Sequence, residues 1–278
     1  MKRESQTSPM SVLSQVMGIV NVTPDSFSDG GRWASTQAAV DQAMRLVAQG
    51  ADVLDIGGES TRPGAEPVGE AEEIERVAPV IAAVRARWGG PISVDTMKPA
   101  VARAAVAAGA TMWNDVTALS QAPDSLAVAA ELGCAVVLMH MRGEPRTMQA
   151  DPRYGDVVAE VRDYLRDRAE AAMAAGVARE NIWLDPGIGF GKTLEHNMAL
   201  TARLGELVAL GFPVLYAASR KRTIQAIDPT AVEATDRLGG SLALALEGAR
   251  RGARMVRVHD VRETVQALKL QAAVAAAG

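Results

Sequence analysis

Short apolar runs alternate along the whole chain with longer, alanine-rich segments of helical period. Apolar residues spaced three or four apart predict amphipathic helices, and short continuous apolar runs predict strands that are buried on both faces. We predict eight strands, near residues 16–20, 53–56, 92–94, 111–113, 135–139, 182–184, 214–217 and 255–258. Eight helices are predicted between and after them, near residues 35–49, 70–88, 99–108, 125–132, 155–175, 196–210, 234–251 and 261–277.

Eight strand–helix units predict a closed parallel barrel, the (β/α)₈ or TIM barrel, which typically takes about 250 residues. An open, doubly wound sheet is the alternative, since periodicity does not show whether the sheet closes. Aromatic residues make up only 4% of the 278 residues, which suits a barrel interior filled by branched aliphatic side chains. Glycines follow six of the predicted helices, where they are expected to act as C-caps: Gly50, Gly109, Gly133, Gly176, Gly211 and Gly252. We therefore predict a single-domain α/β protein, with a flexible segment at 1–15 and the barrel at 16–278.

Composition excludes several classes of function. A net charge of -4 gives no support to binding of nucleic acid or of a membrane surface. No apolar run approaches the roughly 20 residues that a membrane span needs, and residues 1–14 lack the apolar centre of a secretory signal. The single cysteine, Cys134, lies in an apolar stretch and is expected to be a small buried residue, so no intrachain disulfide is expected. We expect a soluble, cytoplasmic protein.

Polar residues occupy the carboxyl end of every predicted strand. One such residue is commonly just a helix N-cap, which is our interpretation of Asp124 and Thr235. Eight polar ends out of eight predict a ligand site, because the active site of a (β/α)₈ barrel lies at this end. The residues, in strand order, are Asn21; Asp55 and 59–62; Asp95; Asn114 and Asp115; His140; Asp185; Ser219, Arg220 and Lys221; and Arg257 and His259.

These residues fall into two groups by charge. Asp95, Asn114 and Asp185 offer carboxylate acceptors and an amide, which suit a flat heterocycle with several N–H groups. The other group is cationic, or can become so, and predicts a site for a phosphate or diphosphate: Arg62, Arg220, Lys221, Arg257 and His259. The alternative for Asp185 and Lys221 is a purely structural ion pair.

Two loops add to this picture. The loop at 21–31 is rich in turn residues and carries one aromatic, Phe27, so it is expected to be a lid or clamp; the alternative is a plain strand-to-helix connection. The glycine-rich run at 187–193 approaches a P-loop pattern, but Pro186 stands where that pattern requires glycine. We expect its glycines to permit close approach of the backbone to a ligand, with Phe190 as an apolar wall.

Eight motifs, in order, carry a family resemblance. They are NVTPDSFSDGG (21–31), DIGGESTRPG (55–64), SVDTxKP (93–99), ND (114–115), LMHMxGxP (138–145), DPGIGFGK (185–192), SRK (219–221) and RVHDV (257–261). The chain resembles the dihydropteroate synthases, folate-pathway enzymes inhibited by sulfonamides, from about residue 16 to about residue 267. These enzymes join a pterin carrying a CH₂-diphosphate to the amine of p-aminobenzoate and release diphosphate. The resemblance implies a homodimer.

The resemblance also implies roles for individual residues. Asp95, Asn114, Asp185 and Lys221 would hold the pterin, with Met139 also in the substrate pocket, and Asp95, Asp185 and Lys221 would be catalytic. Asn21 would ligate Mg²⁺ on the diphosphate, whose oxygens Thr61, Arg257 and His259 would bind, with Arg62 as a further substrate cation. The loops containing Asp25, Phe27 and Ser28 and containing residues 60–64 would form the p-aminobenzoate pocket, lined by Phe27, Pro63, Phe190 and the stem of Lys221.

The chain departs from the family pattern in two places, and two rival functions share part of that pattern. After SRK, family members commonly have Ser or Arg and then an aromatic residue or Met, whereas this chain has Arg222 and then Thr223, and Ala217 stands where Gly is common. They bear on the p-aminobenzoate site and on sulfonamide sensitivity, since none belongs to the pterin set. The rivals are a pterin-binding methyltransferase domain of the same barrel family and a non-catalytic pterin-binding protein. The first needs no diphosphate clamp, and the second should have lost part of the charged set, which is complete here.

Overall fold

Eight parallel strands form the centre of the molecule. The structure is a computed structural model that describes residues 13–22, 31–60, 67–143 and 147–277, with only the backbone for 31–35. The sheet order is β6-β5-β4-β3-β2-β1-β8-β7, and a parallel bridge between Leu184 and Val214 joins the two ends. The predicted (β/α)₈ barrel is therefore confirmed. Its strands are β1 Gln15–Asn21, β2 Val53–Gly57, β3 Ile92–Asp95, β4 Met112–Asp115, β5 Ala135–Met139, β6 Ile182–Asp185, β7 Leu215–Tyr216 and β8 Met255–Val258.

Helices cover the outside of the barrel and bury their apolar faces against it. The large core between the two layers joins outward-facing strand residues, such as Leu54, Trp113 and Val256, to helix residues such as Val80 and Leu165. No helix in the described part of the chain is long and apolar enough to cross a membrane. The helices are α1 Gly31–Ala48, α2 Glu70–Arg85, α3 Pro99–Ala107, α4 Ser125–Leu132, α5 Val157–Ala174, α6 Leu194–Ala202, α7 Gly205–Val208, α8 Arg222–Ile227, α9 Leu238–Arg250 and α10 Val261–Ala276.

The structure corrects the sequence prediction in the last third of the chain. The single helix predicted at 196–210 is two helices, α6 and α7, which break before Gly205 so that Leu204 and Leu207 both reach the core. The short helix α8 was not predicted, because six residues are too few to show helical periodicity. A 3₁₀ turn, Ala234–Arg237, precedes α9 where a continuous helix was predicted.

Helix caps match the sequence prediction in part. All six predicted C-cap glycines have a positive φ, which glycine adopts without steric cost. Asp124 occupies the predicted N-cap position of α4, but its side chain makes no capping hydrogen bond. The N-cap interpretation of Thr235 was wrong, because this residue lies inside the 3₁₀ turn, whose capping box is formed by Glu233 and Asp236. A carboxylate or hydroxyl before a helix caps it only when its side chain can turn back onto the first N–H groups.

Candidate active site

The barrel interior changes from apolar to polar toward the carboxyl ends of the strands. Near the amino ends it is filled by six buried apolar side chains: Met17, Val53, Met112, Val137, Leu215 and Met255. Successive residues of a strand point to opposite faces, so the next inward residues are Asp55 on β2, Asn114 on β4 and Asp185 on β6, all buried. The floor of the site is therefore a set of polar groups on a rigid apolar base.

Arg257 is the centre of a cross-barrel ion cluster. Its Nε donates to Oδ2 of Asp55 at 2.5 Å, and its Nη2 donates to Oδ2 of Asp95 at 2.6 Å. The amide Nδ2 of Asn114 donates to the same Oδ2 of Asp55 at 3.1 Å. Oδ1 of Asp55 is buried and has no hydrogen-bond partner among the described residues. Two carboxylates thus share one guanidinium and keep acceptor capacity for N–H groups of a ligand.

This cluster corrects the sorting of charges inferred from the sequence. The sequence placed Arg257 in an anion site apart from the carboxylates, whereas the structure places it between Asp55 and Asp95. Arg220, also assigned to the anion site, is bound instead by Asp260, with Nη2 2.5 Å from Oδ1. Arg220 is therefore no longer a candidate for binding the anion, although the sequence prediction included it in the cationic group.

Burial shifts the pKa values of the ionisable groups at the site. It raises the pKa of Asp95 to about 7, against the lowering effect of Arg257 and with a further rise from Asp55. Burial also raises the pKa of Asp185, although Oδ1 accepts a hydrogen bond from the N–H of Gly187 at 2.7 Å. The pKa of Lys221 falls to about 8 because its ammonium is desolvated. Asp95 and Lys221 are therefore poised to change charge near neutral pH, which is typical of functional sites.

Lys221 is held over the loop that follows β6. Its Nζ donates to the carbonyl of Ile188 at 2.5 Å and lies 4.2 Å from the centroid of the Phe190 ring. Although Asp185 favours its charged form electrostatically, no direct ion pair joins these two described side chains. The alternative interpretation of Asp185 and Lys221 as a structural ion pair is therefore not supported, and both groups remain available to a ligand.

Strands β7 and β8 are cross-linked at their polar ends. Oγ of Ser219 lies 3.0 Å from Nδ1 of His259 and accepts a hydrogen bond from the backbone N–H of His259 at 3.2 Å. Arg220, which has a left-handed φ of 57°, is fixed by its pair with Asp260. Residues held in this region cost of order 1–3 kcal/mol and persist where the surroundings fix them. The strained turn presents Lys221 and His259 at the same end of the barrel.

His140 and Lys192 form a buried pair beside the site, and Lys192 is a residue that sequence reasoning missed. Nζ of Lys192 lies 2.9 Å from Nδ1 of His140 and donates to the carbonyls of His140 and Phe190. Burial, together with the Lys192 charge, lowers the pKa of His140 to about 3, so this histidine is neutral. With three protein acceptors, Lys192 binds the loop rather than a phosphate, which agrees with our rejection of a P-loop. The sequence feature that could have indicated Lys192 is its position at the end of the glycine-rich run.

His196 and the site residues at other strand ends take the places expected from the sequence. His196 forms a capping box with Thr193 at the start of α6, which confirms an ordinary helix-start role. Asn21 is exposed at the end of β1, and Met139 is buried beside Asp185 in the β5–β6 register. Several predicted site residues lie outside the described residues: Asp25, Phe27, Ser28, Thr61, Arg62 and Pro63.

A second buried charge cluster, which was also not predicted from the sequence, lies beyond the carboxyl ends of β2 and β3. Nζ of Lys98 contacts Oε2 of Glu59 at 2.6 Å and Oε2 of Glu73 at 2.5 Å. Glu73 is fully buried, and its burial raises its pKa. Oε1 of Glu59 accepts a hydrogen bond from the N–H of Val68. The cluster therefore connects the chain before residue 61 to the chain after residue 66. It was not predicted, because a lysine before the proline that starts a helix does not indicate an ion cluster.

Comparison with known proteins agrees with this geometry. The family model for pterin binding enzymes matches residues 17–259. The dihydropteroate synthase of Escherichia coli (strain K12) is 49% identical over 255 residues, covering 92% of this chain and 89% of that protein. A structure of Xanthomonas albilineans dihydropteroate synthase with 4-aminobenzoic acid has a TM-score of 0.88 at 52% identity, covering 95% of this chain and 93% of that one. Another from that organism, in complex with 7,8-dihydropteroate, has a TM-score of 0.85 at 50% identity and covers 95% and 94%. The chain therefore belongs to the pterin-binding enzymes and, among them, to the dihydropteroate synthases.

Proposed function

We propose that the polar mouth of the barrel condenses a 6-hydroxymethyl-7,8-dihydropterin diphosphate with p-aminobenzoate, giving 7,8-dihydropteroate and diphosphate. The observation that carries this assignment is the set of Asp95, Asn114, Asp185 and Lys221 at the ends of four strands, of which Asn114 and Asp185 are buried and Asp95 and Lys221 are half-buried. It is supported by the solved relatives that contain 4-aminobenzoic acid and 7,8-dihydropteroate. A flat ring with several N–H groups matches the acceptors of this set.

The reaction needs charge stabilisation at both ends of one bond. The bond from the pterin methylene to the diphosphate breaks with its electron pair on the diphosphate, and the amine lone pair of p-aminobenzoate forms the new C–N bond before the amine loses a proton. The carboxylates of Asp95 and Asp185 oppose the positive charge that develops on the pterin. Lys221 and His259 oppose the negative charge of the departing group, while Arg257 holds the carboxylate of Asp95 in place. Such preorganised charges are commonly the largest contribution to catalysis.

Asn21 is the proposed protein ligand for Mg²⁺. The described residues contain no group of three His, Cys, Asp or Glu side chains that could hold a metal ion. Mg²⁺ needs no such cage, because it is usually bound by one or two protein oxygens together with substrate phosphates and water. The exposed amide of Asn21 at the end of β1 fits that requirement. When bound, the metal would neutralise charge on the diphosphate.

The direct test is a product assay with the purified protein. The pterin diphosphate, p-aminobenzoate and Mg²⁺ are supplied, and 7,8-dihydropteroate and free diphosphate are measured together. Equal amounts of the two products are expected. Binding of the pterin without release of diphosphate would overturn the assignment and would favour a pterin-binding methyltransferase domain or a non-catalytic pterin-binding protein.

Arg222 is proposed to receive the carboxylate of p-aminobenzoate. It is exposed at the first position of α8, directly after Lys221, and the pairing of Arg220 with Asp260 removes one alternative. We predict that Arg222→Ala raises the KM for p-aminobenzoate about tenfold to a hundredfold with little change in kcat, since a charge-assisted contact contributes equally to ground state and transition state. Steady-state kinetics at saturating pterin diphosphate measure both constants. Arg254→Ala, at the opposite end of β8, is the matched control, and an unchanged KM in Arg222→Ala would assign Arg222 to solvent.

We propose that the enzyme is a homodimer that buries the side formed by α8, α9 and α10. Most of the large exposed apolar side chains of the described residues lie there: Ile227, Val232, Leu270 and Val274, each 56–67% exposed. Ile227 also lines a cavity of about 340 Å³ between α8 and α9. Exposed apolar groups of this kind mark interaction surfaces when they cluster.

Leu270→Glu and Ile227→Glu should give monomers in sedimentation at micromolar concentration, whereas Leu13→Glu should not. Dimers in both variants would contradict this surface.

We further propose that the enzyme works in the cytoplasm. Its one cysteine, Cys134, is buried and free, which is compatible with a reducing compartment. Cell fractionation followed by the product assay on each fraction tests this location, and activity confined to a membrane or extracellular fraction would contradict it.

A further inference from the structure

The loop between β6 and α6, residues 186–193, is anchored by a buried asparagine. Oδ1 of Asn197, on the first turn of α6, accepts a hydrogen bond from the backbone N–H of Gly189 at 2.8 Å. Asn197 is 2% exposed. Gly189 has a φ of +81°, and a Cβ there would lie 3.0 Å from Cδ of Lys221. The loop therefore passes against the stem of the lysine, and Asn197 sets how closely it does so.

The other end of the same amide reaches the element that carries Lys221. Nδ2 of Asn197 donates to Oγ1 of Thr223 at 3.2 Å. Thr223 is 6% exposed and is the second residue of α8, two positions after Lys221. The hydroxyl of Thr223 is therefore the point at which α8 is tied to the loop through Asn197.

A closed ring of contacts results. It runs from Lys221 along the chain to Thr223, across to Asn197, on to Gly189, and back through the hydrogen bond from Nζ of Lys221 to the carbonyl of Ile188. Phe190, the next residue of the loop, has its ring 4.2 Å from Nζ of Lys221. The positions of the Phe190 ring and of the lysine stem are thus fixed together, because each hydrogen bond restrains the same short loop.

We infer that Thr223 and Asn197 are positioning residues that set the apolar wall made by Phe190 and the stem of Lys221, and so set the affinity for p-aminobenzoate. The inference rests on the proposed function, together with the p-aminobenzoate pocket implied by the family resemblance, which Phe190 and the stem of Lys221 would line. Neither side chain touches a reacting group; each acts through the loop. An apolar residue at 223 would leave Nδ2 of Asn197 without its acceptor, and such a loss is costly for a buried donor.

The test compares variants that differ only in the hydroxyl at position 223. Thr223→Val keeps the shape and removes the acceptor, and Thr223→Ser keeps the acceptor and removes a methyl group. Thr230→Val is the matched control, because that hydroxyl bonds to Asp228 in an exposed turn. For each protein, the KM for p-aminobenzoate, the KM for the pterin diphosphate, kcat and the melting temperature are measured.

Thr223→Val is expected to raise the KM for p-aminobenzoate about threefold to tenfold, the range that one buried hydrogen bond supplies. The KM for the pterin diphosphate should change less than twofold, and Thr223→Ser and Thr230→Val should match the wild type. In the background of Asn197→Ala, the Thr223→Val substitution should have no added effect, since the link is already absent. An unchanged KM for p-aminobenzoate in Thr223→Val, or an equal change for both substrates, would overturn the inference. Failure of the wild-type protein to form product would instead overturn the proposed function.

Discussion

Asp185→Asn and Lys221→Ala are each expected to lower kcat/KM about 10²–10³-fold, the loss typical of removing one preorganised charge-stabilising group. Asp185 opposes the charge that develops on the pterin, and Lys221 lies between the predicted pterin and p-aminobenzoate positions over Phe190. Both groups stand in a buried, weakly screening environment, where a charge acts more strongly than in water. The product assay at subsaturating pterin diphosphate measures the loss.

The same two variants should keep the fold, with melting temperatures equal to or above that of the wild type. Burial disfavours both charged forms, since it raises the pKa of Asp185 and lowers that of Lys221 to about 8. Replacing either group by a neutral one removes that unfavourable desolvation. Asp167→Asn and Lys269→Ala, both at exposed positions, are the matched controls. Wild-type kcat/KM in the two active-site variants, with unchanged melting, would exclude these residues from the site.

Arg257→Met is expected to give the largest loss of stability, about 3–5 kcal/mol near pH 8, because it removes one partner of a buried ion cluster. Asp55 and Asp95 would then face each other without the guanidinium that now bonds to both. Activity should fall as well, since Arg257 holds the carboxylate of Asp95, which opposes the positive charge on the pterin in the proposed reaction. Urea denaturation at several pH values measures the change in the free energy of unfolding.

The pH dependence of that loss has a defined sign. The folded-state pKa of Asp95 is about 7, above its unfolded value near 3.8, and removing Arg257 raises the folded value further. The folded protein therefore binds the proton that the unfolded chain releases, so the free energy of unfolding falls as pH rises above about 4. Both proteins should lose stability in parallel between about pH 4 and about pH 7. Arg257→Met should become progressively less stable than the wild type above about pH 7, where Asp95 of the wild type is ionised beside its guanidinium. The double variant Asp55→Asn with Arg257→Met should recover part of the loss, and a cost independent of pH would show that packing, not charge, is responsible.

The order of apolar and polar residues along the chain was sufficient to predict the barrel and the position of the site within it. Eight buried strands separated by helical segments leave few ways to bury their apolar faces, and alternation along each strand dictates which residues point inward. Parallel strands bring their carboxyl ends to one rim, so Asp95, Asn114 and Asp185 were predicted as neighbours although they lie far apart along the chain. His196 was likewise predicted to be an ordinary helix-start residue, and its capping box with Thr193 confirms this.

The sequence did not predict which charged side chains form ion pairs with one another. Arg257 and Asp55 are 202 positions apart, and nothing in local pattern states that this arginine turns to the floor of the barrel while Arg220 turns outward to Asp260. The sequence also did not predict the contact between Lys192 and His140 or the hydrogen bond from Asn197 to Thr223. Hydrophobic periodicity depends on a residue's own face of a strand or helix, whereas a hydrogen bond or ion pair depends on the position and rotamer of a second side chain from a distant element. Hydrophobic periodicity is thus a local property of the chain, whereas contacts between distant side chains exist only after the barrel has closed.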